Sequence, residues 1–205
     1  MKILSESKLF SPSHPEINGI DENDIEIYIH NVAQWLTGLN SKSIQENIIK
    51  LYSNNNQIRE LIQNYFKNRF GTEMTCYRGL HFMYDDNSWT ECFGHNPHQG
   101  QIYNFVSTSA RLLSSWSTSK GFVGDWVSRP QRTYFIFEAT IPYDMVVYFN
   151  DMWTKEDALN MFTRDNHLSN VYNFASYIDS FEFQHEVTVW HKKPLQAKLI
   201  SWSKS

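Results

Sequence analysis

Three short stretches carry side chains able to do chemistry together: Tyr77-Arg78-Gly79, Phe105-Val106-Ser107-Thr108-Ser109, and Gln184-His185-Glu186 leading into Val187-Thr188-Val189-Trp190. A guanidinium offers a planar fork of donors that fits oxyanions. A glycine beside it permits close backbone approach. No His/Asp partner follows Ser107 in a hydrolase motif, so Ser107 is not read as a nucleophile. Each piece alone has an ordinary reading. An arginine at a strand end is usually solvated, Ser-Thr-Ser is common in caps and turns, and Gln-x-Glu is a frequent polar outer face of a strand.

The elements that must position them divide into a helical front and a strand-rich back. Residues 1–20 read as an arm or loop. Ile25, Ile29, Val32 and Leu36 recur at helical spacing, with Gly38 as the stop. Ser43, with Glu46 three residues on, reads as the cap of a second helix through Ile44, Ile48 and Leu51. Asn54-Asn55-Asn56 breaks it. A third helix spans Gln57 to Phe70 and Gly71 closes it. Beyond it, Met74–Arg78, Ile102–Ser107, Thr133–Ile141, Met145–Phe149, Phe181–Trp190 and Gln196–Trp202 read as strands, the last two joined by a Lys192-Lys193-Pro194 turn. Asp85–Gln101 reads as a polar loop, Arg111–Val127 as a helix with its flanking loop, and Lys155–Phe162 as a short helix. Period two sets Glu182, Gln184 and Glu186 on one strand face and Phe181, Phe183, Val187 and Val189 on the other. The expectation is one α+β domain over residues 1–205: a helical lobe over 1–73 and a β-rich core over 74–205.

Composition agrees. The chain has 205 residues, of which 16% are aromatic, too many for a disordered chain. A net charge of −4 gives no global basic footprint for non-specific duplex binding. No run approaches ~18 apolar residues, and the first residues lack the apolar core of a signal peptide. Cys76 and Cys92 cannot build a disulfide framework and fit a reducing compartment. A cytoplasmic protein without membrane contact is expected; export by another route stays open.

Taken together, in this order and spacing, the three stretches resemble the mono-ADP-ribosyltransferases of the Arg–Ser–Glu class with a Gln-x-Glu motif, a group of bacterial toxins, phage enzymes and toxin–antitoxin effectors. The resemblance covers about residues 74–202. It implies an ADP-ribosyltransferase-like split antiparallel β core, with NAD as substrate in a cleft between two sheets and no metal. Cleaving the nicotinamide–ribose bond passes through an oxocarbenium-like transition state, and nicotinamide leaves neutral, so one carboxylate suffices. By resemblance, Glu186 holds a ribose hydroxyl and stabilises the developing cation. Arg78 takes the NAD phosphates, Gly79 approaches the nicotinamide amide, and Ser107, followed by Thr108, is the central serine that braces the glutamate. Phe122, with Trp126, is a candidate wall for the nicotinamide, or ordinary core.

A second Ser117-Thr118-Ser119 competes for the serine role; the strand before Ser107 favours the first copy. The resemblance also bears on the acceptor. Gln184, two residues before the glutamate, implies an amide or a nucleobase amine of single-stranded RNA or DNA, since an amide both donates and accepts. Tyr177 or Phe181 is the candidate acceptor-recognition ring, able to stack on a base or to pack in the core. A protein side chain such as asparagine, water (an NAD glycohydrolase), and a non-catalytic binding module of the same fold are the alternatives. An inhibitor or antitoxin partner is implied by the toxicity of NAD consumption. Cys92-x-x-His95-x-x-His98 has ligand-like spacing but falls short of the four donors of a closed zinc site. Gly121-Phe122-Val123-Gly124 lacks the residues of a phosphate loop.

Overall fold

The first helix buries Ile25, Tyr28, Ile29 and Val32, each at most 2% exposed, on the one stripe that period 3.6 provides. This computed structural model describes residues 22–39, 41–83, 88–128, 132–163 and 171–204. The arm expected over 1–20 lies outside them. Helix α1 (Glu22–Leu36) is followed by α2 (Lys42–Asn54) and α3 (Asn56–Phe70). Ser41, not Ser43, caps α2, accepting from the Ile44 amide at 3.3 Å. Ser41 is extended and its amide donates to the Leu39 carbonyl at 2.8 Å. Ser43 lies inside the helix and bonds Ser41, while Glu46 pairs with exposed Lys42. Asn55 separates α2 from α3 and caps the latter through the Gln57 and Ile58 amides. Gly71, at φ 81°, ends α3 in the region where a Cβ is costly.

The remaining elements are β1 (Glu73–Met83), α4 (Trp89–Phe93), β2 (Ile102–Phe105), β3 (Leu113–Ser117), α5 (Lys120–Val127), β4 (Arg132–Pro142), β5 (Val146–Phe149), α6 (Lys155–Thr163), α7 (Val171–Gln184), β6 (Glu186–Trp190) and β7 (Leu195–Ser203). The strands form a seven-stranded antiparallel sheet in the order β2-β7-β4-β1-β3-β6-β5. Its two wings are unequal partners. β1 and β4 pair along their whole length, from Glu73↔Pro142 to Met83↔Arg132. β1 and β3 meet only at Tyr77↔Ser117. This junction is where the two wings come together.

One face of the sheet carries the main core. Phe135 and Phe137 of β4 are fully buried and pack with Phe93, Tyr103, Phe105 and Trp202. That core runs on into α1, α2 and α3 without a break. On the other face, α5 covers Ile136 with Val123 and Val127.

Other expectations from the sequence are corrected. Arg111–Val127 is not one helical unit: β3 precedes α5, and both faces of β3 are covered. A strand covered on both faces shows no polar alternation, and three serines hid its apolar character. Phe181–Trp190 is not one strand either. α7 runs through Gln184, His185 takes φ 42°, and β6 starts at Glu186. Glu182 and Gln184 are therefore helical and share no strand face with Glu186. Tyr177, Ile178 and Phe181 are buried along α7 while Phe183 is 64% exposed, a spacing that fits a helix and not a strand. The expected strands at Met74–Arg78 and Ile102–Ser107 end at Met83 and Phe105 instead. The Asp85–Gln101 loop contains α4, and residues 84–87 lie outside the described set.

Candidate active site

A cleft of about 420 Å³ opens at the β1–β3 junction. β1 contributes Tyr77, Arg78, Gly79, Leu80 and His81 to its lining, and β3 contributes Leu113 to Ser117. Glu186 enters from the start of β6, Gln184 and Tyr177 from α7, Phe122 and Trp126 from α5, and Trp35, Leu36 and Gly38 from the end of α1. Helical lobe and sheet thus build the cleft together.

The register explains why these groups meet. Ser117 pairs with Glu186, and Ser115 with Thr188, so paired side chains stand on one face. Ser115 lies two residues from Ser117, on that same face, and its hydroxyl acts on the Glu186 carboxyl to favour the ionised form. Arg78 Nη1 donates to the Ser115 carbonyl at 2.5 Å. The Ser117 hydroxyl donates to the Gln184 carbonyl, which fastens the end of α7 to β3. The His185 carbonyl accepts from the Thr118 amide at 3.1 Å. His185 also sits 2.9 Å from Asp151 through Nδ1.

Three buried polar atoms here have no protein partner: Arg78 Nε, Gln184 Oε1 and Glu186 Oε1. Buried polar groups are nearly always bonded, so these three atoms lining one cleft make it the candidate ligand site. Burial pushes the Glu186 carboxyl up to about 7, against the opposing pull of the Ser115 bond and the Arg78 charge. Burial and the nearby Arg111 push Arg78 down to about 10, still protonated at neutral pH. The site can hold a cation close to a carboxylate that ionises near neutrality.

Of the residues singled out from the sequence, Arg78, Gly79, Phe122, Trp126, Tyr177, Gln184 and Glu186 line this cleft. Ser107 and Thr108 do not. The Ser107 hydroxyl donates to the His191 carbonyl at 2.8 Å and reaches the Leu112 carbonyl at 3.4 Å. The strand before Ser107 is β2, at the sheet edge and away from β6. The serines beside Glu186 are Ser115 and Ser117, so the second tripeptide copy, set aside from the sequence, is the one that begins at the site. Ser115 was missed because its face is fixed only once β3 is known to be a strand.

Gly79 serves packing. A Cβ there would lie 2.3 Å from Val127 Cγ1 and 3.1 Å from Val123 Cγ1, so its bare backbone admits α5 against β1. Tyr177 and Phe181 lie on α7 in the core and not on a loop. Tyr177 donates to Asn150 Oδ1 at 2.7 Å, and the Phe181 carbonyl accepts from Asn150 Nδ2 at 2.9 Å. The exposed ring in the cleft wall is Trp126, 41% exposed, with the His81 ring 4.8 Å away. Cys92, His95 and His98 are exposed, and among the described residues no three His, Cys, Asp or Glu side chains group to hold a metal ion. Among the same residues no helix is long and apolar enough to cross a membrane.

A scan against protein-family models matched none, and searches of characterised proteins and of solved structures found no match.

Proposed function

We propose that this chain is an NAD-dependent mono-ADP-ribosyltransferase acting on a nucleobase amine of single-stranded nucleic acid. The observation that carries the reading is the meeting of Arg78, Ser115 and Glu186 in one cleft, with Arg78 Nε and Glu186 Oε1 buried and unpartnered. The reaction would break the bond between nicotinamide nitrogen and the ribose anomeric carbon. The bonding pair leaves with nicotinamide, which departs neutral. The acceptor nitrogen then bonds that carbon and gives up a proton to solvent. Glu186, ionised, offsets the positive charge that develops on the ribose. Ser115 orients that carboxylate, and Arg78 holds the anionic part of the dinucleotide. Gln184 Oε1, free to accept, would take a hydrogen from an acceptor amine.

A second acceptor class has its own support. Tyr177 and Phe181 are buried, which removes them as a stacking platform and favours a protein amide or other side chain. Trp126 supports the first class, as an exposed ring in the cleft wall able to stack on a base.

The test is incubation with adenylate-labelled NAD and a cell lysate, beside the Glu186→Ala control, followed by nuclease or protease. Label removed by nuclease supports the first acceptor class, and label removed by protease supports the second. Nicotinamide release without label makes water the acceptor. No label and no nicotinamide release would overturn the enzyme reading.

A further inference from the structure

Arg111 also lines the cleft, on the loop between β2 and β3, and none of the motifs uses it. Its charge acts on Arg78. Among the described residues neither guanidinium has an ion pair with a carboxylate. The cleft lining thus sets two guanidiniums against one carboxylate, Glu186, and an anion bound there would balance the excess positive charge.

The loop is built to keep Arg111 there. The Gln45 side chain, 2% exposed on α2, accepts from the Leu112 and Leu113 amides at 2.8 and 3.0 Å and donates to the Ala110 carbonyl at 3.4 Å. Thr108 Oγ1 accepts from the Arg111 amide at 3.0 Å, and the two residues exchange backbone bonds. Ser107 anchors the start of the same loop on His191. Every one of these bonds constrains the main chain next to Arg111 and leaves its guanidinium unclaimed.

We infer that Arg111 and Arg78 form a two-guanidinium clamp for a diphosphate ester, with Gln45 as the residue that positions Arg111. Identifying that ester as the dinucleotide diphosphate rests on the function proposed above; the clamp itself asks only for two adjacent phosphates. Two planar forks match two phosphates better than a single phosphate or an uncharged nucleoside.

The experiment is calorimetric titration of the full chain with ADP, AMP and adenosine. Arg111→Gln, at an exposed position, is expected to weaken ADP binding about ten- to a hundredfold, AMP less, and adenosine not at all. Arg111→Lys should restore part of the ADP affinity. Gln45→Leu, which removes the acceptor of the Leu112 and Leu113 amides, should weaken ADP selectively and leave adenosine unchanged. Equal ADP affinity in wild type and Arg111→Gln would overturn the clamp, as would wild type that ignores ADP. A uniform loss for ADP and adenosine would also overturn it, because a distorted cleft explains that without lost charge. ADP binding that depends on Arg111 in a protein that consumes no NAD would leave the clamp standing and remove the transferase reading.

Discussion

Arg78 Nη1 donates to the main-chain carbonyl of Ser115 at 2.5 Å, across the single register contact that joins the two wings of the sheet. The bond spends only one of the guanidinium's five donors. It holds the backbone of the residue whose hydroxyl favours the ionised Glu186 carboxyl. Cation, hydroxyl and carboxylate are thereby placed relative to each other before any ligand arrives, which is the condition for electrostatic catalysis.

Glu186→Gln should lower NAD consumption by roughly two to three orders of magnitude and leave the fold intact. The carboxyl is raised from 4.5 to about 7 in the folded chain. An acid raised on folding carries no penalty below its unfolded value, and its penalty is complete above its folded one. Wild-type stability relative to Glu186→Gln should therefore fall as pH rises from about 4.5 to 7, by at most something on the order of 3 kcal/mol. Denaturant melts of both proteins at pH 4.5 and 8 check this; a constant difference would contradict it.

Activity should follow the opposite course. In the proposed reaction the ionised carboxylate is the working form, so NAD consumption should rise through about pH 7 to a plateau. A pH–rate profile of nicotinamide release reads this directly. A flat profile between pH 5.5 and 8.5 would count against Glu186 as the group that ionises.

Ser115→Ala and Ser107→Ala should separate cleanly. Losing the Ser115 bond removes a contact that lowers the Glu186 pKa, so the pH profile should move upward and the rate fall. Ser107→Ala should leave the profile unmoved and cost about 1 kcal/mol of stability, since its hydroxyl ties loop carbonyls together. Reversed behaviour in the two variants would restore Ser107 to the site.

Gly79→Ala should destabilise the protein by roughly 1–3 kcal/mol through overpacking, as its Cβ would meet Val127 Cγ1 at 2.3 Å. Adding Val127→Ala should recover part of the loss in a double-mutant cycle. Additive effects would mean that the contact is not the cause.

Gln184→Ala should reduce transfer to the acceptor more than NAD hydrolysis. The amide nitrogen is held by Ser180 Oγ at 2.6 Å, which leaves the buried Oε1 unpartnered. Separate assays of label transfer and nicotinamide release measure the split. Equal losses would make Gln184 a structural end to α7.

The sequence by itself determined the helical lobe and the strand-rich back, and it singled out Arg78 and Glu186, which the fold brings to one cleft. These are local matters: the apolar stripe of α1 and the turn at Gly71 follow from spacing and φ preference along one segment. The face of a strand and the partner of a side chain are not local. Phe181-Glu182-Phe183-Gln184 alternates as a strand does, yet Asn150 holds the Phe181 carbonyl and the chain turns only at His185. Leu113-Ser114-Ser115-Trp116-Ser117 carries little apolar signal, yet pairing with β6 on one side and β1 on the other makes it a strand. Ser114 fits inside because His191 and Trp116 bond its hydroxyl. The tertiary structure therefore decided which serine faces Glu186, because register between distant strands is set by long-range burial and backbone pairing, to which a local tripeptide is blind.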